Sequence, residues 1–175
     1  MHPCNSKTMP FALLSLTLAA ASIACASSQQ DNDDCVILRV ADGDTFTCRD
    51  GRKVRLIGID SPEPEQRPFG TRARQELIRL VPLGSSVRLE HDVTFTDRYG
   101  RRLAYVWRGP TLVNEAMVHG GWAVLFTVPP NVKYGERFSR AQNEARTRGA
   151  GLWGERGFDC LPADFRRRRC LSQPP

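Results

Sequence analysis

Three β-rich runs joined by two tight turns fall between residues 36 and 59, and nothing else in the chain constrains the fold as much. Residues 36–40 are apolar and β-branched, Asp42-Gly43-Asp44 is a strong turn signal, and residues 45–48 return as a second strand. Arg49-Asp50-Gly51-Arg52 makes another turn, and residues 53–59 run on as a third strand. Along it Val54, Leu56 and Gly58 alternate with Arg55, Ile57 and Ile59, which predicts two faces on one continuous strand. The three strands form a meander. Cys35 and Cys48 flank the first turn almost symmetrically. Of the three pairings open to Cys35, Cys48, Cys160 and Cys170, this favours the sequence-local one. No Cys-x-x-Cys occurs and His2, His91 and His119 are scattered, which argues against a zinc site.

Beyond the meander, residues 71–81 carry Ala73, Leu77 and Leu80 at helical spacing, and Pro82-Leu83-Gly84 stops the helix. Residues 87–90 and 103–107 read as a fourth and a fifth strand. Residues 111–119 form a second helix ended by Gly120-Gly121, and residues 122–127 a short extended piece. Residues 134–148 form a third helix with Phe138, Ala141 and Ala145 inward. The class is α+β, mainly β. Five strands with a helix between the third and fourth is the layout of a small Greek-key barrel of the oligonucleotide-binding type, the OB fold. Residues 155–175 are a tail without clear period, holding Arg166 to Arg169 ahead of Cys170. That arginine run is read as a clamp on nucleic acid or as a solvated surface. Trp107, Trp122 and Trp153 are read as core or rim residues rather than base-stacking platforms.

Residues 1–26 read as an export signal. Lys7 gives a weakly positive start, residues 11–24 are an apolar run of fourteen, and Ala24-Cys25-Ala26 is a small-x-small cleavage site. A membrane span needs about 20 apolar residues, so the run falls short of one. The alternatives are a retained anchor and lipidation of Cys25, the route by which this chain would sit at a membrane. A secreted or periplasmic protein is therefore expected, and in such a compartment an even cysteine count reads as disulfides. The signal carries one Lys and no acid, so 24 basic residues face 19 acidic ones afterwards, a net charge of +5. A basic exported domain has an acidic partner as its natural expectation, nucleic acid being the commonest. No stable protein partner is implied, and a monomer is expected.

The chemistry lies in two short runs, Asp42-Gly43-Asp44-Thr45 and Asp60-Ser61-Pro62-Glu63, with Arg55 between them. Asp44 and Asp60 can hold a hard divalent cation, and Ser61 can add an oxygen. This is too few donors for a closed calcium cage of 6–8 oxygens, so water and a substrate phosphate would complete it. Glu63 can orient or deprotonate a water. Arg55 can fork onto a phosphate, and Arg101 is a second candidate. These parts suit metal-assisted cleavage of a phosphodiester.

Four stretches carry a more specific signal: residues 40–45, 54–63, 96–105 and 113–118. In order and at compatible spacing they resemble the signature stretches of the staphylococcal nuclease (thermonuclease) family, over residues 35–153. The resemblance implies a five-stranded barrel with three helices over residues 35–154. It implies calcium-dependent hydrolysis of DNA and RNA that leaves 3′-phosphates. By position, Asp44 and Asp60 would be the calcium carboxylates, and Ser61 would give its backbone oxygen. Glu63 would be the general base or the water-orienting residue, and Arg55 and Arg101 would bind the scissile phosphate. Arg98 and Tyr99 would hold the neighbouring phosphate, and Asp42 would support the ligands from behind. The loop of residues 64–70 is shorter than the family's lysine-rich one, and Phe126 stands nearest to where paired tyrosines stack on the nucleotide. The rival from another class is an OB-fold module that binds nucleic acid without cutting it.

Overall fold

A computed structural model describes residues 33–170. The leader reading of residues 1–26, with Cys25, and residues 171–175 lie outside the described residues. Among the described residues eight strands and four α-helices follow one another: β1 (Asp33–Val40), β2 (Thr45–Cys48), β3 (Lys53–Leu56), β4 (Ile59–Asp60), α1 (Phe69–Leu80), β5 (Ser86–Glu90), β6 (Arg102–Arg108), β7 (Thr111–Leu112), α2 (Val113–His119), β8 (Val124–Leu125), α3 (Gly135–Thr147) and α4 (Pro162–Arg166). The main sheet runs β3-β2-β1-β5-β6-β7, and a parallel pairing of β3 with β6 closes five of these strands into a barrel. β1 serves two neighbours: Asp33 to Val36 pair with β5, while Ile37 to Val40 pair with β2. A register shift between Ile37 and Arg39 lets it turn that corner and leaves Leu38 pointing outward. Cys35 and Cys48 are disulfide-bonded and buried, with Cα atoms 5.5 Å apart.

The third strand is not continuous. β3 ends at Leu56, the chain turns through Ile57-Gly58, and Ile59-Asp60 pairs instead with β8. Gly58 has φ +79°, and a Cβ there would come within 2.8 Å of the Phe138 ring. The expected two-faced alternation therefore fails after Leu56: Ile57 and Ile59 are buried like Val54 and Leu56. The turn is pinned from α2. Buried Asn114 donates to the carbonyls of Ile57 (2.9 Å) and Ala104 (3.3 Å) and accepts from the Val106 amide (2.8 Å). One side chain thus joins the β3–β4 kink, β6 and α2.

The helices pack by small residues and single large anchors. α1 buries Gly70, Ala73 and Leu77, and α3 buries Phe138, Ala141 and Ala145. α1 starts at Phe69, two residues before the expected Thr71. Thr111 and Leu112 belong to β7 rather than to the second helix. In the core Tyr105 meets Tyr134 edge-on with centroids 4.6 Å apart. The tail holds more order than its sequence shows. Phe158 joins Leu152 and Val124 in a second apolar cluster, α4 follows, and Cys160 is bonded to Cys170. Among the described residues no helix is long and apolar enough to cross a membrane.

Candidate active site

The meander and the β3–β4 kink deliver carboxylates to one place. Asp42 caps the β1–β2 turn, accepting from the Asp44 amide at 3.0 Å. Gly43 is there for closeness: a Cβ would sit 2.7 Å from that of Ser61 and 2.8 Å from that of Ala73. The turn can therefore lie flat on the end of β4. Asp44, 5 % exposed, accepts from the Ser61 amide through Oδ2 (2.7 Å) and from the Thr45 hydroxyl through Oδ1 (3.1 Å). Asp60, 1 % exposed, is the most buried acid of the group.

Arg55 ties the two aspartates together. Its Nε lies 3.1 Å from Asp44 Oδ1 and its Nη2 3.2 Å from Asp60 Oδ1, while Nη1 donates to the Leu56 carbonyl at 2.6 Å. Asp44 and Asp60 are thus within one guanidinium of each other. Burial comes first in pushing the Asp60 carboxyl above its ordinary range; bonds from Arg166 oppose this and the Asp44 charge adds to it. Burial, then the charge of Asp44, pushes Asp42 up to about 7.

Glu63 is set by the loop ahead of α1. Its amide donates to Gln66 Oε1 (2.9 Å) and its carbonyl accepts from the Gln66 amide (2.9 Å). Gly70 lets α1 press on that loop, since a Cβ would meet the Glu63 carbonyl at 2.0 Å. On the loop before β6, Asp97 organises the second arginine. Asp97 accepts from the amides of Tyr99 (2.9 Å) and Arg101 (3.0 Å) and from Arg101 Nε (2.7 Å). Burial would raise the Asp97 carboxyl, but these bonds outweigh it and hold the group below its usual value. The Tyr99 ring, 66 % exposed, is flanked by the guanidiniums of Arg98 (4.8 Å) and Arg101 (5.4 Å).

A single cleft of about 960 Å³ collects these parts. All nine residues singled out from the sequence line it: Asp42, Asp44, Arg55, Asp60, Ser61, Glu63, Arg98, Tyr99 and Arg101. It brings buried anionic oxygens and arginine forks together, Arg55 and Arg166 touching the aspartates directly. The atoms of Asp44, Asp60 and Ser61 that could ligate are all oxygens, a set that suits a hard divalent ion and not a thiolate-seeking one. Among the described residues no group of three or more His, Cys, Asp or Glu gathers as a complete metal-ligand set.

Comparison with known proteins gives the family. The family model for staphylococcal nuclease homologues matches residues 53–155. The chain belongs to the staphylococcal nuclease family. The thermonuclease of Staphylococcus hyicus is 38 % identical over 125 residues, covering 67 % of this chain and 73 % of that protein. Protein ParB of Escherichia coli is 35 % identical over 161 residues, 85 % of this chain and 88 % of its own. Endonuclease YncB of Bacillus subtilis (strain 168) is 33 % identical over 130 residues, 69 % and 61 % of the two chains.

Within this staphylococcal nuclease fold, the roles of Asp97 and Gln66, and the contact of Arg166 with the carboxylates, escaped the sequence reading. Asp97 had a usable signal, an Asx turn written as Asp-x-Tyr-Gly-Arg. Gln66 had none, because its role is to bridge: besides holding Glu63, its Nε2 donates to the Cys160 carbonyl at 3.1 Å. Arg166, from α4, reaches into the cleft and bonds Asp60 and Glu63. Phe126, 40 % exposed, lines the cleft after β8. Trp107, Trp122 and Trp153 are not among the lining residues; the first two pack on the main core and Trp153 on the second cluster.

Proposed function

We propose that this protein is an exported, calcium-dependent nuclease that hydrolyses phosphodiester bonds in DNA and RNA and leaves 3′-phosphates. Membership of a nuclease family makes nucleic acid the substrate class. The observation that carries the reading is the meeting of Asp44, Asp60, Glu63, Arg55 and Arg101 in one cleft. Support for export comes from the apolar run of residues 11–24 and from two disulfides, which form and persist in oxidising compartments.

Asp44 and Asp60, with the Ser61 backbone oxygen, would hold the calcium ion. When bound, the ion supplies positive charge to the phosphate oxygens and lowers the barrier to attack. Glu63 accepts a hydrogen bond from a water and takes its proton as the water oxygen bonds phosphorus. The P–O5′ bond breaks in line with that attack. Arg55 and Arg101 meet the equatorial oxygens, where charge accumulates, with planar forks that a lysine lacks. Arg101 also favours departure of the 5′-oxygen. Arg98 and Tyr99 hold the next phosphate, and Asp42 keeps the Asp44 amide and turn in place behind the ligands.

The test is hydrolysis of a 5′-labelled single-stranded DNA by the purified mature protein, with calcium and with chelator. Calcium-dependent cleavage with 3′-phosphate ends is expected. Tight binding without cleavage in either buffer would turn the reading to a non-catalytic OB-fold module.

A further inference from the structure

The C-terminal segment puts a positive charge on the carboxylates of the cleft. Arg166 Nη2 lies 2.7 Å from Asp60 Oδ2, and Nη1 lies 3.0 Å from Asp60 Oδ1 and 2.5 Å from Glu63 Oε1. One guanidinium therefore engages both oxygens of the buried aspartate and spans to the glutamate. The arm that presents it is built, not loose. Cys160 is bonded to Cys170, with Cα atoms 5.7 Å apart, so the segment closes on itself around α4. Gln66 ties the Cys160 carbonyl to the Glu63 loop, and Pro162 at the start of α4 is buried. Upstream, Phe158 is 6 % exposed against Leu152 and Trp153. The backbone carrying Arg166 is thus held at the cleft from both ends, while the Arg166 side chain stays 39 % exposed and can leave without opening the core.

Resting on the calcium-dependent reading above, we infer that Arg166 is an internal counter-cation that competes with calcium for Asp60 and Glu63. The physical reason is direct. A carboxylate has about four lone-pair sites. At Asp60, Arg55 takes one on Oδ1 and Arg166 takes one on each oxygen. A divalent ion at Asp60 must use the same buried oxygens, and a guanidinium in contact with them repels it. Calcium binding then requires Arg166 to leave the two carboxylates. An arginine that only braced the carboxylates would act in the opposite sense, because its loss would leave Asp60 and Glu63 less well placed for the ion.

Calorimetric titration of the mature, disulfide-intact protein with calcium alone separates the two. Arg166→Gln is expected to bind calcium roughly tenfold more tightly than the wild type, about 1.4 kcal/mol. Arg169→Gln removes the same charge from the same arm and is expected to change the affinity less than about twofold, since exposed charges at a distance are screened. Arg166→Lys keeps the charge without the fork, is expected to fall between, and carries the test if the glutamine variant does not fold. Unchanged or weaker binding in the Arg166 variants overturns the competition and leaves the nuclease reading standing. Absence of calcium binding in the wild type and in every variant overturns both.

Discussion

At the scale of single residues, the site separates the two acidic tasks by environment. Asp44 and Asp60 are buried and held by amide, hydroxyl and guanidinium donors, which on the proposed mechanism fixes their oxygens for a cation. Glu63 is more open, its side chain 28 % exposed, as a group that must meet water requires. Its loop is set by bonds from its backbone to Gln66, while its carboxylate bonds Arg166. Glu63→Gln should therefore keep the loop geometry and nucleotide binding while losing the proton acceptor. General-base catalysis typically contributes about 10²–10⁴-fold, and turnover should fall by that order with substrate affinity nearly unchanged. Steady-state kinetics beside equilibrium binding of an oligonucleotide checks this; near-normal turnover would remove Glu63 from the role of base.

At the scale of elements, the kink between β3 and β4 decides where Asp60 points, and Asn114 decides the kink. The side chain is fully buried and serves three elements through three bonds. Truncating it leaves the Val106 amide without its side-chain acceptor and the Ile57 carbonyl without its side-chain donor, each costing about 1–3 kcal/mol. Asn114→Ala should lose roughly 2–4 kcal/mol in a denaturant titration, and activity should fall further than stability explains because Asp60 shifts with the kink. A loss under about 1 kcal/mol would mean that the kink is held elsewhere. The same feature shows the reach of the sequence. The five barrel strands, the meander of the first three and the helices α1, α2 and α3 were legible, because hydrophobic period and turn chemistry are local. The kink was not, because residues 53–59 alternate as a strand should, and only Phe138, eighty residues on, leaves no room for a side chain at Gly58. The acidic residues and arginines of the cleft were legible as a family pattern. Arg166 was legible only as part of a basic run and not as a partner of Asp60 and Glu63, since α4 is five residues long and is held by a disulfide and by Gln66 rather than by its own periodicity.

At the scale of the whole molecule, a formal charge of +6 is spread over a surface that also carries many ion pairs, so net charge alone says little about how substrate is held. Several arginines are already committed: Arg72 to Glu155, Arg79 to Glu76, Arg137 to Glu115 and Arg156 to Asp159. Such exposed pairs add little stability, but they do withdraw those charges from nucleic acid. The arginines facing the cleft are Arg55, Arg98, Arg101, Arg166 and Arg167, and of these Arg55, Arg101 and Arg166 bond protein carboxylates. On the proposed mechanism, Arg55, Arg98 and Arg101 meet phosphates. Each phosphate neutralised on a single strand contributes about −0.7 to the slope of log affinity against log salt, so three predict a slope near −2. Binding of a short single-stranded DNA to the Glu63→Gln protein in calcium, measured across a monovalent salt series, reads that slope without turnover. A value near zero would mean that phosphates are not held by these arginines. A value of about −4 or steeper would mean that the Arg166–Arg169 run joins the contact once calcium has taken Asp60, which would bring the tail into the substrate path.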